Sequence, residues 1–477
     1  MRSVNGKRIS LISLALLLAL LLALPLALPL AGCGKSSPAA AAPEESAAPE
    51  PREESGPKEL RFGSLTVSSD VESLDLAGSG AALEELMRAS NELENVKEIS
   101  LGVTGATLEQ LRAVEAAFPQ AELNWKAEIL GEEIDCRAES LDLGAAADGD
   151  LDRILAALAV LPDVKSISLA PQDGVTGLSF ESLAALAEAV PEAELNCRFE
   201  LFGQTADWTS EKLKYYKTDI GNEGIETFRS ALPYLRSLEL LRLEECGITD
   251  NDAMAALRAD FPDKRVVWSI PVRGYTFMTD TTLINDGGSL QLSDSDVGVF
   301  RYMPDVLYLD IGHNHYLTNI EFVRNWPRLQ VVILTLSNIK DITPLEDCPD
   351  IEFLEMVSTG IGSIDVVAGM DKLEYLNLGC MWSLRDVSPV AGLKNLKLVR
   401  ICGSTFTFVP HAQVDELKEA LPGIVNDYGG DPTKSGGWRY NNDGSLTERY
   451  ALLREQMLYD EGIWWKRLSN SPSGEEN

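Results

Sequence analysis

Histidine is scarce in this chain, with only His313, His315 and His411 among 477 residues. A metal site needs histidine, thiol or carboxylate ligands at fixed spacing, and neither H-E-x-x-H nor C-x-x-C occurs. We therefore predict no metal site and expect His313 and His315 to be exposed beside the turn residue Asn314. The signatures G-x-S-x-G, Walker and G-x-G-x-x-G are also absent. The sequence accordingly predicts no catalytic residue, no cofactor and no enzyme activity.

Basic residues are few: 41 Lys and Arg stand against 74 Asp and Glu, which gives a net charge of −33. A nucleic-acid partner would require a basic face for its phosphates, so we predict no binding of nucleic acid. The same charge is repelled by anionic lipid head groups, so the protein surface itself is not expected to lie on a membrane.

Paired cysteine motifs are missing as well. Six cysteines follow Cys33, and they are scattered along the chain: Cys136, Cys197, Cys246, Cys348, Cys380 and Cys402. An even number permits disulfides in a secreted protein. We favour free thiols, because Cys197 aligns with Trp125 and Trp268 in a long repeat described below and so occupies an apolar position.

Residues 1–33 have the composition of a secretion signal, with a basic start and an apolar run from Ile9 to Leu24. The closing Leu30-Ala31-Gly32-Cys33 resembles a bacterial lipobox. That resemblance implies cleavage that leaves Cys33 as a lipid-bearing N-terminus on the extracytoplasmic face of a bacterial cell membrane. An uncleaved membrane anchor is the alternative, because roughly 20 apolar residues can span a bilayer. Residues 34–58, rich in Ala, Pro, Ser and Glu, lack the apolar surface to fold and are predicted to be a disordered tether.

The region 301–404 carries a short repeat. Five strand-like segments begin at Val306, Leu329, Ile351, Leu373 and Leu396, which are 23, 22, 22 and 23 residues apart. The pattern L-x-x-L-x-L at this period is that of a leucine-rich repeat. It predicts an α/β solenoid with parallel strands on the concave face and helices or short turns on the convex face. Leu309, Val332, Leu354, Leu376 and Val399 should then form one buried row.

The copy from Leu329 to Leu345 resembles the repeats of internalin-type bacterial surface proteins. The inward Asn of that family is present here only as Asn314. Ser337, Thr359, Met381 and Ser404 occupy the matching places, and the Ser and Thr hydroxyls can still bond the turn backbone. The resemblance implies a bacterial surface leucine-rich repeat protein that binds a partner.

A longer repeat occupies residues 59–300. Phe118 to Trp125, Val190 to Cys197 and Phe261 to Trp268 match one another at spacings of 72 and 71 residues. Each unit is predicted to hold two leucine-rich turns, a helix ended by proline and a hairpin. The helices resemble those of the ribonuclease-inhibitor class of repeat. Residues 405–477 are predicted to cap the last coil, with Trp438, Trp464 and Trp465 packed inside.

The candidate ligand-binding surface is the concave face, because side chains between the buried leucines point outward from each strand. Aromatic and Arg side chains are the usual interface anchors, and here they stand beside a mixed polar column. The predicted ligand-binding residues are Tyr308, Asp310, Phe353, Glu355, Tyr375, Asn377 and Arg400. The alternative is that neighbouring side chains or flanking loops cover this column.

The favoured function is a lipid-anchored protein that binds a protein or glycan and contacts the membrane only through Cys33. Two alternatives stay open: a cell-envelope enzyme or enzyme accessory with a site outside the repeats, and a self-associating structural protein of the envelope. A deep pocket ringed by acid and base groups would indicate an enzyme.

Overall fold

The computed structural model describes residues 56–401, 409–427 and 430–459. The predicted signal segment, its lipidation site Cys33 and residues 34–55 of the predicted tether lie outside these ranges, as do Cys402, Ser404, Trp464 and Trp465. No helix within the described ranges is both long and apolar enough to cross a bilayer.

Short strands alternate with helices along residues 59–297, and the last of these strands, Leu283–Asn285, already belongs to the sheet of the short repeats. The strands are β1 (Glu59–Phe62), β2 (Leu65–Ser68), β3 (Ser73–Asp75), β4 (Glu98–Val103), β5 (Glu122–Ile129), β6 (Glu132–Asp135), β7 (Ser140–Asp142), β8 (Ser166–Ser168), β9 (Glu194–Asn196), β10 (Arg198–Leu201), β11 (Gln204–Asp207), β12 (Lys212–Tyr216), β13 (Leu240–Glu244), β14 (Arg265–Val272), β15 (Tyr275–Met278) and β16 (Leu283–Asn285). The helices are α1 (Leu83–Arg88), α2 (Leu108–Ala117), α3 (Leu151–Leu158), α4 (Phe180–Ala189), α5 (Gly224–Ala231), α6 (Asn251–Asp260) and α7 (Asp294–Val297).

The sequence predicts helices over Leu108–Phe118, Phe180–Val190 and Asp252–Phe261, and all three are confirmed to within one residue at each end. Their first turns show why they begin where they do. Thr107 caps α2, and its side chain and that of Gln110 bond each other's backbone N–H groups. Ser179 and Asp250 cap α4 and α6 through a single bond, each side chain accepting one backbone N–H. Each of these three helices ends two residues before a proline, whose ring disfavours helical backbone in the residue ahead of it.

The hairpin predicted around Gly131 is also confirmed, since β5 and β6 pair antiparallel with Ile129 opposite Glu132. Leu130 and Gly131 both have positive φ, at 54° and 87°. Two such residues make the tight turn that matches the twist of paired strands. Glycine is required at the second position, and the equivalent turns after β10 and β14 keep it at Gly203 and Gly274.

A single parallel sheet runs through the short repeats, and its seven strands are ordered as they are in the chain. After β16 come β17 (Tyr308–Asp310), β18 (Val331–Ile333), β19 (Phe353–Glu355), β20 (Tyr375–Asn377), β21 (Leu398–Arg400) and β22 (Val425–Asn426). Short 3₁₀ turns such as Thr343–Asp347 form the opposite side of each coil. The fold is therefore the predicted leucine-rich repeat solenoid.

The predicted apolar row is confirmed. Leu309, Val332, Leu354, Leu376 and Val399 pair in that order along the sheet, and each is fully buried. Beside this row, the turn groups predicted to bond the backbone do so. Asn314 donates to the carbonyls of Ile311 and Gly312, whereas Ser337 and Thr359 each donate to a carbonyl three residues earlier.

The cysteines of the described ranges are thiols rather than disulfides: Cys136, Cys197, Cys246, Cys348 and Cys380. Cys197 is fully buried in the core, in the position that Trp125 and Trp268 fill in the neighbouring units. Burial raises the pKa of Cys197 to about 12 and that of Cys348 to about 12. These thiols therefore stay protonated and serve as core residues.

The C-terminal region departs from the simple cap that the sequence predicts. Helix α8 (His411–Ala420) and strand β22 build one more coil, because β22 pairs with β21 and extends the sheet. Residues 430–459 then turn back over the inner side of the sheet and include helix α9 (Glu448–Gln456). The segment packs there on polar and aromatic side chains of the strands, such as Glu355 and Phe353, both of which contact Trp438.

Candidate functional site: the inner face of the short repeats

Two columns of side chains line the inner side of the seven-stranded sheet, because the first and third residues of each three-residue strand point away from the buried row. The apolar column is Leu283, Tyr308, Val331, Phe353, Tyr375 and Leu398. The polar column is Asn285, Asp310, Ile333, Glu355, Asn377, Arg400 and Asn426. Together they are called the inner face below, and all seven predicted ligand-binding residues belong to it.

The inner face is covered by the chain itself. Residues 430–459, called the strap below, cross it from the last strand back to the first. Their apolar contacts form one cluster with the sheet: Trp438, Tyr450, Leu453 and Met457 pack with Leu283, Val331, Ile333 and Phe353. The alternative left open by the sequence, that a flanking segment covers this column, describes the structure.

The strap buries most of the seven predicted residues. Five are buried, namely Asp310, Phe353, Glu355, Asn377 and Arg400, and two are half-buried, namely Tyr308 and Tyr375. The structure thus brings all seven together on one surface, and the strap covers that surface.

Glu355 is the central anchor of the strap, and its side chain is fully buried. Its Oε2 accepts a hydrogen bond from Trp438 Nε1 at 2.5 Å, and its Oε1 accepts from Arg439 Nη2 at 2.9 Å and from Thr335 Oγ1 at 2.8 Å. A buried carboxylate is costly unless it is paired and hydrogen-bonded. Trp438 and Arg439 supply both, so these two strap residues compensate the burial of Glu355 beneath the strap.

Aromatic rings and the Arg449 guanidinium stack on the apolar column beside Glu355. The Phe353 and Trp438 ring centroids are 5.0 Å apart, and the Arg449 guanidinium lies 4.9 Å from the Phe353 centroid and 5.6 Å from that of Tyr375. A cation over an aromatic ring gains about 0.5–2 kcal/mol, with the larger values in desolvated sites. The apolar column therefore acts as an aromatic platform for a cation.

Asp310 anchors the other end of the strap. Its Oδ2 accepts from the phenol of Tyr459 at 2.5 Å, and its Oδ1 accepts from the Gly312 N–H at 2.9 Å. Burial raises the pKa of Asp310, since the charged carboxylate is removed from water. Burial and the neighbouring carboxylate also hold the pKa of Tyr459 well above its ordinary value, so the phenol is the donor.

The remaining polar side chains of the face bind strap backbone. Asn377 and Arg400 donate to the Pro432 carbonyl, Arg400 also donates to the Asp431 carbonyl, and Asn285 donates to the Met457 carbonyl.

The same end of the face fixes the strap through Gly436, whose carbonyl accepts from Asn426 Nδ2 at 2.6 Å. Gly436 has a φ of 68°, and a β-carbon there would overlap the Arg400 guanidinium. Glycine is required by both constraints. Every polar member of the polar column thus has a partner in the strap.

A cavity of about 240 Å³ remains between face and strap, lined by Asp310, Glu355, Arg439 and Tyr459 among others. Acid and base groups meet here, as they would in an enzyme. Both oxygens of Glu355 are already engaged, however, and ligand pockets usually measure about 300–1,000 Å³. The groups are better explained as the anchors of the strap than as a catalytic pair.

A larger cavity of about 750 Å³ lies where the long repeats meet the short ones. Most of its charged lining is paired: Asp280 contacts Arg265 at 3.0 Å, Lys264 contacts Asp263 at 3.0 Å and Arg328 contacts Asp305 at 3.9 Å. These pairs offer no excess of either charge to a ligand. Within the described ranges, no three His, Cys, Asp or Glu side chains are grouped to hold a metal ion, and His313 and His315 are exposed.

The sequence indicates the side chains of the inner face, but it does not indicate most of the strap side chains that contact them. Trp438 was expected to be packed and is packed, with 4% of its surface exposed. Arg439, Arg449 and Tyr459 carry no motif and were not identified. The available signal was an arginine next to a tryptophan in a segment that carries as many basic as acidic residues, within a chain that is otherwise strongly acidic.

Closure of the strap should depend on pH through Asp310. Because its pKa is raised in the closed state, closing takes up a proton. The contribution of Asp310 is fully present below its ordinary pKa of 3.8 and is lost as pH rises through the raised value. Protection of the α9 amides from hydrogen exchange, corrected for intrinsic rates, should fall over that range in the wild type and stay level in Asp310→Asn.

The charged and titratable groups around Asp310 are Tyr459, Glu355 and Arg439, and His313 and Tyr450 line the same cavity; both proteins keep all of them. The difference between the two profiles therefore isolates Asp310. The same slope in both proteins would show that another group controls closure.

No model of a protein family matches the sequence, and no curated protein does. Among solved structures, the chain is similar to an internalin of Listeria monocytogenes at 15% identity, covering 73% of this chain and 93% of that one, with a TM-score of 0.26. A leucine-rich repeat protein of Leptospira interrogans matches at 13% identity, covering 75% and 96%, with a TM-score of 0.26. The TLR13–ssRNA13 complex matches at 16% identity, covering 76% and 47%, with a TM-score of 0.24. It is the parallel register of its own strands, rather than these likenesses, that makes the chain a leucine-rich repeat solenoid.

Proposed function

We propose that this protein is a non-enzymatic binding protein, anchored by lipid on Cys33 at the outer face of a bacterial membrane, that binds a protein through its inner face. One observation carries the proposal: the inner face is built to hold a polypeptide. Its amide and guanidinium groups donate to backbone carbonyls of the strap at Asp431, Pro432 and Met457. Backbone carbonyls are common to all proteins and absent from simple glycans, which favours a protein partner.

The aromatic platform supports the same conclusion. Phe353 and Tyr375 lie 6.3 Å apart between ring centroids and hold an indole and a guanidinium side chain of the strap. Aromatic and arginine side chains dominate the energetics of protein interfaces.

The anchor is tested by Cys33→Ala. Without the thiol the lipid cannot be attached, so the protein should move from the detergent-soluble membrane fraction to the aqueous fraction or accumulate as an uncleaved precursor. Labelling with a radioactive fatty acid should be lost at the same time. A protein that stays lipid-labelled and membrane-bound after this change would contradict the proposed anchor.

The binding surface is tested by purifying the intact lipoprotein from crosslinked cells and comparing two tyrosine variants. Tyr375→Ala removes part of the platform and should reduce recovery of the partner at least tenfold. Tyr316→Ala is the matched control, because this tyrosine is 67% exposed and lies outside the inner face. Equal recovery from both variants would contradict the proposal.

The two alternatives have their own readouts. If the protein hydrolyses an envelope polymer and Tyr375→Ala does not change that activity, the alternative of a cell-envelope enzyme is supported. Concentration-dependent assembly of the purified chain would support the structural role.

A further inference from the structure

The strap packs on the solenoid as a separate layer. The apolar core of the repeats is continuous from Phe62 to Leu421, and no residue of the strap belongs to it. The strap instead contributes to a second apolar cluster, which lies on the inner face. Removing the strap therefore exposes the inner face and leaves the core of the repeats closed.

Helix α9 depends on this contact for its existence. It is nine residues long, and within it only Tyr450 and Leu453 are buried. Isolated helices of this length are marginal in water, so α9 is expected to form on the inner face and to unfold when it leaves. The strap thus behaves as a ligand that folds on its binding surface.

The fit between strap and face is incomplete. Arg439 Nε and Arg449 Nη2 are buried without a hydrogen-bond partner, although both guanidinium groups make other contacts. A buried donor without a partner costs free energy in the closed state. This cost lowers the stability of the closed state and so favours displacement of the strap by a partner.

We propose that the inner face recognises a partner polypeptide in which a tryptophan is followed by an arginine, and that this partner binds by displacing the strap. The strap shows the chemistry required: Trp438 and Arg439 both bond the one carboxylate of Glu355. This inference rests on the proposed function and names both the partner chemistry and the competitor.

The negative charge of Glu355 makes the inner face selective for the Trp-Arg pair. When the strap leaves, Glu355 loses two of its three partners and keeps only Thr335. A partner that brought an apolar residue to this position would bury the carboxylate without a counter-charge, which is strongly unfavourable. A segment that brings a cation and a neighbouring N–H donor, as the Trp-Arg pair of the strap does, restores both contacts.

A partner can bind only the molecules whose strap is open. Its apparent affinity is therefore the intrinsic affinity multiplied by the open fraction. The wild-type chain should therefore bind weakly, and a chain with a defective strap should bind well. This contrast can be measured without knowing the natural partner.

The experiment uses the full chain and a synthetic peptide of residues 430–459 with a fluorescent label. A chain carrying W438A and R439A has an intact inner face and a strap without its anchors. We expect it to bind the peptide with a Kd at least tenfold lower than that of the wild-type chain, measured by fluorescence anisotropy. A peptide carrying the same two changes should not bind either chain.

Circular dichroism verifies that the repeats of the variant are folded. If W438A/R439A does not fold, the single change Arg439→Gln removes the ion pair with Glu355 and gives the same comparison. The inference is overturned if the folded variant does not bind the peptide, if it binds no better than the wild type, or if the altered peptide binds equally well. Dimerisation of the wild-type chain that excess peptide cannot reverse also overturns it, because the strap would then bind a second copy instead of yielding to a partner.

The outcome is separable from that of the proposed function. Peptide binding without any Tyr375-dependent partner from the envelope would support the recognition of the Trp-Arg pair and contradict the function. A Tyr375-dependent partner without peptide binding would do the reverse.

Discussion

Replacing Leu354 with alanine should lower the free energy of unfolding by about 2–5 kcal/mol. Leu354 is fully buried at the centre of the apolar row, paired with Val332 on one side and Leu376 on the other. The change removes three carbon atoms and leaves a cavity that neighbouring coils cannot close without losing their register. In a solenoid, each coil is stabilised chiefly by its neighbours, so the loss is shared by both interfaces. Urea denaturation followed by far-ultraviolet circular dichroism measures it, as a lower midpoint.

The chain offers a matched control in the same part of the solenoid. Leu336→Ala makes the same chemical change at a side chain that is 38% exposed, and a surface substitution of this kind usually changes stability by no more than about 0.5 kcal/mol. Equal losses for the two variants would show that Leu354 is not in a continuous buried row.

The repeat architecture was predictable because its signal is local and periodic. Each strand of the short repeats carries its own L-x-L pattern, and the 22- or 23-residue period fixes which leucine lies above which. The register of Leu309 over Val332 over Leu354 follows from that period alone. The hairpins of the long repeats were predictable for a similar reason, since a glycine such as Gly131 at the turn has one conformational role.

The strap was not predictable in this way because its contacts are distant in sequence and have no period. Trp438 and Glu355 are 83 residues apart, and Asp310 and Tyr459 are 149 apart. A polar side chain on the outward side of a strand fits a solvent-exposed site, a ligand contact or a contact with a returning segment equally well. The pattern located the inner face, and it carried no information on what covers that face.

The cap illustrates the same limit. The sequence indicates a helix opening near Ser445, whereas the N-cap residue is Thr447, whose hydroxyl accepts from the Tyr450 N–H. Helical spacing predicts one packed side made of Leu446, Tyr450, Leu453 and Met457. The last three are buried, whereas Leu446 lies before the N-cap and is 39% exposed. Helical spacing therefore identified the packed side of the segment. The surface against which that side packs is set by the side chains of Glu355 and Asp310.

Replacing Glu355 with alanine should open the strap while leaving the repeats folded. Removing one member of a buried ion pair costs about 3–5 kcal/mol, because the other charge is left without compensation. Here that charge is Arg439, and Trp438 loses its acceptor as well. Because this free energy belongs to the contact between strap and face, the loss should appear as local opening rather than as global unfolding. Hydrogen exchange of the α9 amides should accelerate at least a hundredfold, and exchange of the β18–β20 amides should not change.

Two further variants separate the charge from the loss of a side chain. Glu346→Ala also removes a glutamate from an arginine, since Glu346 contacts Arg324 at 2.8 Å, but that pair is on the surface and contributes at most about 1 kcal/mol. It should leave α9 protected. Glu355→Gln keeps an acceptor for Trp438 and loses the charge, so its effect should fall between the two. If Glu355→Ala instead destabilised the strands and α9 together, the strap would be an integral part of the fold. A partner could then not displace it without unfolding the solenoid, and the inner face would be a structural interface rather than a binding surface.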